Sequence, residues 1–372
     1  MSKTKKTNIK IKMKMKMFTL LVLSVLLLFP YQAFAEKTLD PVLTLNFSDV
    51  ESLMMARDQQ ILDNVKAYSN LNSGQGNVQS GTDNMNNLLV QLAGVGSAGD
   101  IGTLRSVLAN LIQAQMQISV GTNSMAQSTN ISAVGLQTEQ GNYTIVWNMQ
   151  KQYIAYNNNL QKLQANTAMQ PLLEKKLAAV KLQKELGMVT DSDVVKAEND
   201  LKDLNSGINQ LQQGILAIKQ AFNICLAQPY DTAIQIGEVP EVTDDQIAAI
   251  QADNDYKEAL KKAYGVKVED INKDTDKKND EIRKFQNSFN RAYQNILDTQ
   301  KTLKIEQGKM AKAETDMKTA DLKFKLGMLS SLQYESAKST YAAEQAALVQ
   351  AENALSQVYQ QYGWAKRGLI VQ

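Results

Sequence analysis

In Leu186-Gly187-Met188-Val189-Thr190-Asp191-Ser192-Asp193-Val194 a glycine ends one helix and a threonine begins the next. Gly187 suits the left-handed position that closes a helix, where a side chain would clash. Thr190 stands three residues on and can accept from the free amides of a new helix, while Asp193 sits where it can reach back; Thr190-x-x-Asp193 resembles a capping box. Beyond it the apolar positions are Val194, Ala197, Leu201, Leu204, Ile208, Leu211, Ile215, Ile218 and Phe222. Their alternating spacing of three and four is a heptad seam, the mark of a coiled coil. Helix, tight turn and heptad helix together predict a long antiparallel hairpin.

The same pattern recurs 140 residues later, where Leu326-Gly327-Met328 repeats Leu186-Gly187-Met188. Tyr153 and Tyr293, Leu182 and Leu322, and Ala197 and Ala337 share that offset, so a long unit has been duplicated. Ser330-x-x-Gln333 matches a capping box. The second seam reads Tyr334, Ala337, Tyr341, Glu344, Leu348, Ala351, Leu355, Val358 and Tyr362. With its small alanines and a glutamate it predicts a different neighbour. Upstream of the glycines, helices are expected over roughly Thr144 to Leu186 and Asp280 to Leu326, each about 60 Å long. Pro171 should kink or restart the first. No proline follows Pro240.

Among 372 residues there is no histidine and one cysteine, Cys225. A Ser-His-Asp triad, a His-ligated metal, an internal disulfide and a multi-Cys zinc site are thereby excluded, and an enzyme is disfavoured. The first 35 residues read as an address. Seven lysines precede thirteen mostly apolar residues, Met17 to Phe29, and Ala33-Phe34-Ala35 is a small-x-small cleavage site before Glu36. Thirteen residues are too few to span a bilayer. Cleavage between Ala35 and Glu36 leaves 33 basic against 38 acidic residues, a net charge of −5. That balance does not suggest nucleic-acid binding.

The two tips, Gly187-Met188-Val189-Thr190-Asp191-Ser192-Asp193-Val194-Val195-Lys196-Ala197 and Gly327-Met328-Leu329-Ser330-Ser331-Leu332-Gln333-Tyr334-Glu335-Ser336-Ala337, resemble those of the TolC-like outer-membrane efflux family. Leu45-Asn46-Phe47-Ser48-Asp49 agrees as the opening of a helix to about Tyr68, with Ser48-x-x-Glu51 as its capping box. Asp231 to Pro240 is similar to the family's crossing segment, after which Asp244-Asp245-Gln246 opens the second repeat. The likeness covers roughly residues 40–70 and 140–372. It implies an all-α protomer of two coiled-coil hairpin repeats, residues 36–240 and 241–372, assembled as a homotrimeric tube. It implies passive efflux or secretion without a cofactor or metal, through tips that gate and dock a membrane-fusion adaptor joined to an inner-membrane pump. By that likeness Gly187, Thr190, Asp193, Gly327, Ser330 and Gln333 are the docking and gating residues, and Asp191, Asp193 and Glu335 an acidic lining.

One departure stands out. The family inserts a pair of transmembrane strands into each repeat, and such strands run about ten residues with alternating apolar positions. Val266 to Lys284 is too charged and too short for that. In the first repeat, residues 73–141 hold ten of the nineteen glycines, which marks an insertion. Within it Met85 to Val120 reads as short helices and Gln117 to Gly141 as a faint strand. A barrel is expected to be missing or replaced. The protein is then exported to the cell envelope: outer membrane or periplasm with two membranes, cell surface with one. The alternative is a coiled-coil scaffold or spacer of the cell surface. Trp147, Trp364 and the tyrosines are read as packing, and Cys225 as a small buried residue.

Overall fold

A computed structural model describes residues 43–72 and 131–371. The signal segment with Ala35 and Glu36, and the expected short helices of Met85 to Val120, lie outside the described residues. Strand β1 (Leu43–Leu45) leads to helices α1 (Asp49–Arg57) and α2 (Gln59–Asn72). The first hairpin is α3 (Ile131–Glu185) and α4 (Asp191–Cys225). Strand β2 (Ile234–Ile236) and the short helices α5 (Asp244–Ala248), α6 (Ala252–Leu260) and α7 (Tyr264–Asn272) follow. The second hairpin is α8 (Thr275–Lys325) and α9 (Ser331–Lys366). The all-α, two-hairpin architecture is the one expected.

Several local expectations are corrected. The first helix breaks at Asp58, whose backbone turns extended, and the Asp58 carboxylate accepts the Ile61 N–H at 3.0 Å to start α2. Ser48 forms no capping box: it has helical dihedrals, its hydroxyl donates to Asp49, and Asn46 supplies the carbonyl that Asp49 N–H meets at 3.0 Å. Residues 131–141 are helix, not strand. The turn of α2 against them explains why, since Tyr68 fills the space over Gly135 and Asn64 donates to Asn142 at 2.8 Å. Helix α3 is therefore 55 residues long, about 82 Å at 1.5 Å per residue. It also runs unbroken through Pro171. The missing proline amide costs one bond to the Thr167 carbonyl, and neighbours on both sides hold the flanking turns.

Those neighbours define the layout. The four long helices pack in the order α4, α3, α9, α8, so α4 and α8 are the edges. All nine residues of the first seam are buried or half-buried against α3. Helix α9 is interior and buries two faces, Leu348, Ala351, Leu355 and Tyr362 in the cluster with α8, and Ser339, Ala346, Asn353 and Trp364 besides. Its weak, small-residue seam is thus that of a helix with neighbours on two sides.

Below the tips the hairpins are tied together. Strand β1 pairs in parallel with β2, placing Leu43 beside Ile234 and Leu45 beside Ile236. The Tyr153 hydroxyl donates to the Leu45 carbonyl at 3.1 Å, while its ring meets Phe47 and Phe222 edge-on. Burial pushes that hydroxyl's pKa up to about 12. Arg367 lies over the rings of Tyr143 and Trp364 and forks onto Glu51 with two bonds of 2.8 Å. A second cluster of Tyr256, Phe285, Phe289, Tyr293 and Tyr362 packs α6, α8 and α9. Among the described residues Trp147, Trp364 and the tyrosines of these clusters are packing residues. Between α7 and α8 only Lys273 and Asp274 intervene: Lys273 is left-handed, and Asp274 caps α8 by accepting the Lys277 N–H at 3.0 Å. The second repeat has no room there for a strand pair.

Candidate functional site at the hairpin tips

Both tips are built from two motifs in series. Gly187 and Gly327 have φ of +72° and +71°. In the first tip Met188 N–H donates to Gln183 O at 2.8 Å and Gly187 N–H to Lys184 O at 2.9 Å. In the second, Met328 N–H reaches Lys323 O at 2.7 Å and Gly327 N–H reaches Phe324 O at 3.0 Å. These are paired Schellman closures, which satisfy the last carbonyls of a helix. The next helix opens on a reciprocal box. Thr190 N–H donates to Asp193 Oδ2 at 2.8 Å and Asp193 N–H donates back to Thr190 Oγ1 at 3.3 Å. Ser330 and Gln333 do the same at 2.9 and 3.2 Å. The hydrogen bond from Thr190 holds the Asp193 carboxyl below the usual aspartate range.

The rest of each tip is stapled differently. Across the first hairpin Asp191 pairs with Lys184, Glu198 with Lys181 at 2.8 Å and Asp200 with Lys176 at 3.2 Å. In the second, Phe324 and Tyr334 stack at 4.2 Å and the Tyr334 hydroxyl donates to Asp321 at 2.7 Å. Glu335 stands apart from the other predicted residues. Its side chain is 8% exposed, wedged between the hairpins, with Lys175 of α3 and Lys338 of α9 each at 2.7 Å. Burial raises its pKa, and the two lysines outweigh that, so it lies below the usual glutamate range.

The polar seam between α3 and α9 fixes their register. Gln150 accepts from Trp364 at 2.8 Å, Asn353 donates to Asn158 at 2.8 Å, and Lys175 donates to Ser331 and Glu335 at 2.7 Å. Ser331 is the first residue of α9, yet α3 continues ten residues past Lys175. Glu335 lies level with Lys175, which sets Ser331, one turn nearer the tip, beside about residue 179 of α3, so the first tip projects ~9 Å beyond the second at 1.5 Å per residue.

Beside their charged groups the tips offer large apolar side chains to solvent. Leu186 and Met188 are 66% and 68% exposed, and Leu326 and Met328 are 73% and 66% exposed. Leu182 and Leu322 extend each patch one turn down the helix. The polar cap residues singled out from the sequence spend their hydrogen bonds on the turn itself. The apolar residues around them were not singled out. The signal was the identical Leu-Gly-Met triplet, read only as a mark of duplication.

Elsewhere a groove of about 420 Å³ opens beside β1, lined by Asn46, Ser48, Glu51, Gln150, Glu238 and Gln360. Glu51 is committed to Arg367. Among the described residues no His, Cys, Asp and Glu group could hold a metal ion, and no helix is long and apolar enough to cross a membrane. Cys225 is half-buried against Met149 at 3.8 Å, and burial with the nearby Asp58 carboxylate pushes its thiol up. It packs against the first cluster.

The chain matches no protein-family profile, and no curated protein matches it in sequence. Solved structures do resemble it. A membrane protein from Pseudomonas aeruginosa overlaps 92% of this chain and 97% of its own, at 8% identity and a TM-score of 0.52. The CmeC outer membrane channel of Campylobacter jejuni overlaps 92% of this chain and 94% of its own, at 10% identity and a TM-score of 0.47. For CusC the shares are 90% and 98%, at 10% identity and a TM-score of 0.49. Of these three overlaps the first alone is large enough to establish a shared fold, and at 8% identity it speaks for the fold only. With two long hairpins closed by the same tip chemistry and tied at their base by a crossing strand, the chain shares the fold of that Pseudomonas aeruginosa membrane protein.

Proposed function

We propose that the chain is the protomer of an exported, non-enzymatic conduit of the cell envelope, which assembles as a homotrimer and passes its cargo passively. The observation that carries this reading is the pair of equivalent tips, each presenting exposed leucine and methionine around a rigid glycine turn. Solvent-facing apolar groups held on a stiff support mark a site of contact with another protein. Contact with a membrane-fusion adaptor, itself joined to an inner-membrane pump, fits that surface. The free edges α4 and α8 suit neighbouring copies in a ring. The eight tip residues then divide their work. Gly187, Gly327, Thr190, Asp193, Ser330 and Gln333 shape the turn, Asp191 braces it through Lys184, and Glu335 joins the hairpins; Leu186, Met188, Leu326 and Met328 make the contact.

The test is export in the native cell by variants that leave the helices intact. Leu186→Glu and Leu326→Glu should abolish export without loss of helix content or of assembly, and Gly187→Asp and Gly327→Asp should impair it more than they impair folding. Because the first tip projects farther, its substitutions should cost more. Full export by Leu186→Glu and Leu326→Glu together would refute docking through the tips. A surface scaffold is the second reading, and the two-residue Lys273-Asp274 link favours it, since the TolC-like family that the sequence resembles inserts a strand pair at that place. A monomeric chain whose tip variants are without effect would establish the scaffold.

A further inference from the structure

We infer that Met188 and Met328 form an oxidation switch, a pair of modification sites that make the tips polar. They are the two most exposed methionines among the described residues, and each occupies the same place in its Leu-Gly-Met triplet. Met54, Met149 and Met310 are buried. A residue at this position of a Schellman closure usually packs back onto its own helix. Here the helix is closed by backbone hydrogen bonds of 2.7 to 3.0 Å that involve no methionine side chain, and both methionines are left open to water. Oxidising them therefore does not unmake the cap.

The reagent is a peroxide. Its O–O bond breaks, one oxygen bonds to the thioether sulfur and the other leaves as water; sulfur gives up two electrons and the peroxide takes them. The product is a sulfoxide, a polar and hydrogen-bonding group where an apolar contact stood, and a reductase can reverse it. An exported chain meets such oxidants directly. That the change blocks docking rests on the function proposed above; the site chemistry does not.

The experiment uses the full exported chain, graded hydrogen peroxide, peptide mass mapping and the apolar dye 8-anilinonaphthalene-1-sulfonate. Met188 and Met328 should gain oxygen at least tenfold faster than Met54, Met149 and Met310, with helix content unchanged. Dye binding should fall about twofold or more, recover with methionine sulfoxide reductase, and stay constant in the Met188→Leu, Met328→Leu double variant. Equal oxidation of buried and tip methionines, unchanged dye binding by the oxidised chain, or an equal loss in the double variant would each overturn the inference. These readings do not depend on export, so docking through the tips can fail while the switch stands, and the reverse.

Discussion

Single residues in this chain are constrained most where the backbone has no alternative. Gly368 has φ of +88°, and a Cβ there would lie 2.3 Å from the Lys262 carbonyl oxygen. It also accepts the Tyr264 N–H at 3.2 Å, which docks the end of α9 onto α7. Gly368→Ala should therefore destabilise the fold by about 3 kcal/mol, from left-handed strain plus overpacking. A lower urea midpoint at unchanged slope would show it. Glu335 is constrained by charge. Its pKa is lower folded than unfolded, so it adds stability above the unfolded value, and that contribution is lost as pH falls through the folded one. Hydrogen-exchange protection around Lys175 and Ser331 should therefore drop below about pH 4.5, the ordinary glutamate value. Glu335→Gln should be weakly protected there at every pH.

Among the elements, α3 and α9 behave unlike isolated helices. Helix α3 keeps Pro171 because α4 and α9 support it on both sides, and the one helical bond lost to the Thr167 carbonyl is the remaining cost. Pro171→Ala restores that bond and should stabilise the chain by up to about 3 kcal/mol, read as a higher unfolding midpoint. Past Asn157, α3 buries no side chain completely. The protruding tip is then held by the buried Val194 and Ala197 of α4, by the cap motifs and by ion pairs across to α4, the last of the exposed kind that salt weakens. The second hairpin relies on a ring stack and a buried seam instead. Raising salt should loosen the first tip and leave the second unchanged, as hydrogen exchange at Leu186 and Leu326 would report.

At the scale of the molecule, four long helices in a row leave α4 and α8 each without a long helix on its outer side. A long row with unpaired edges gains most by closing on copies of itself. The proposed trimer predicts a mass three times that of the mature chain by light scattering, with a large radius for that mass. The strand pair β1 and β2 matters at the same scale, since it anchors the crossing between the hairpins to Tyr153.

The sequence by itself determined the hairpins. Gly187, Gly327, their cap partners and the seam from Val194 to Phe222 specify local geometry, because turn chemistry and heptad spacing act over a few residues. Ser48 and Pro171 misled for the complementary reason: a cap and a breaker are local preferences that neighbouring segments overrule. Only the tertiary structure decided that Glu335 is enclosed between hairpins, that the first tip stands beyond the second, and that the Leu-Gly-Met triplets face water. Those are outcomes of the α3–α9 register, set by side chains as far apart in the chain as Gln150 and Trp364 or Lys175 and Glu335, and no local pattern encodes a pairing over such distances.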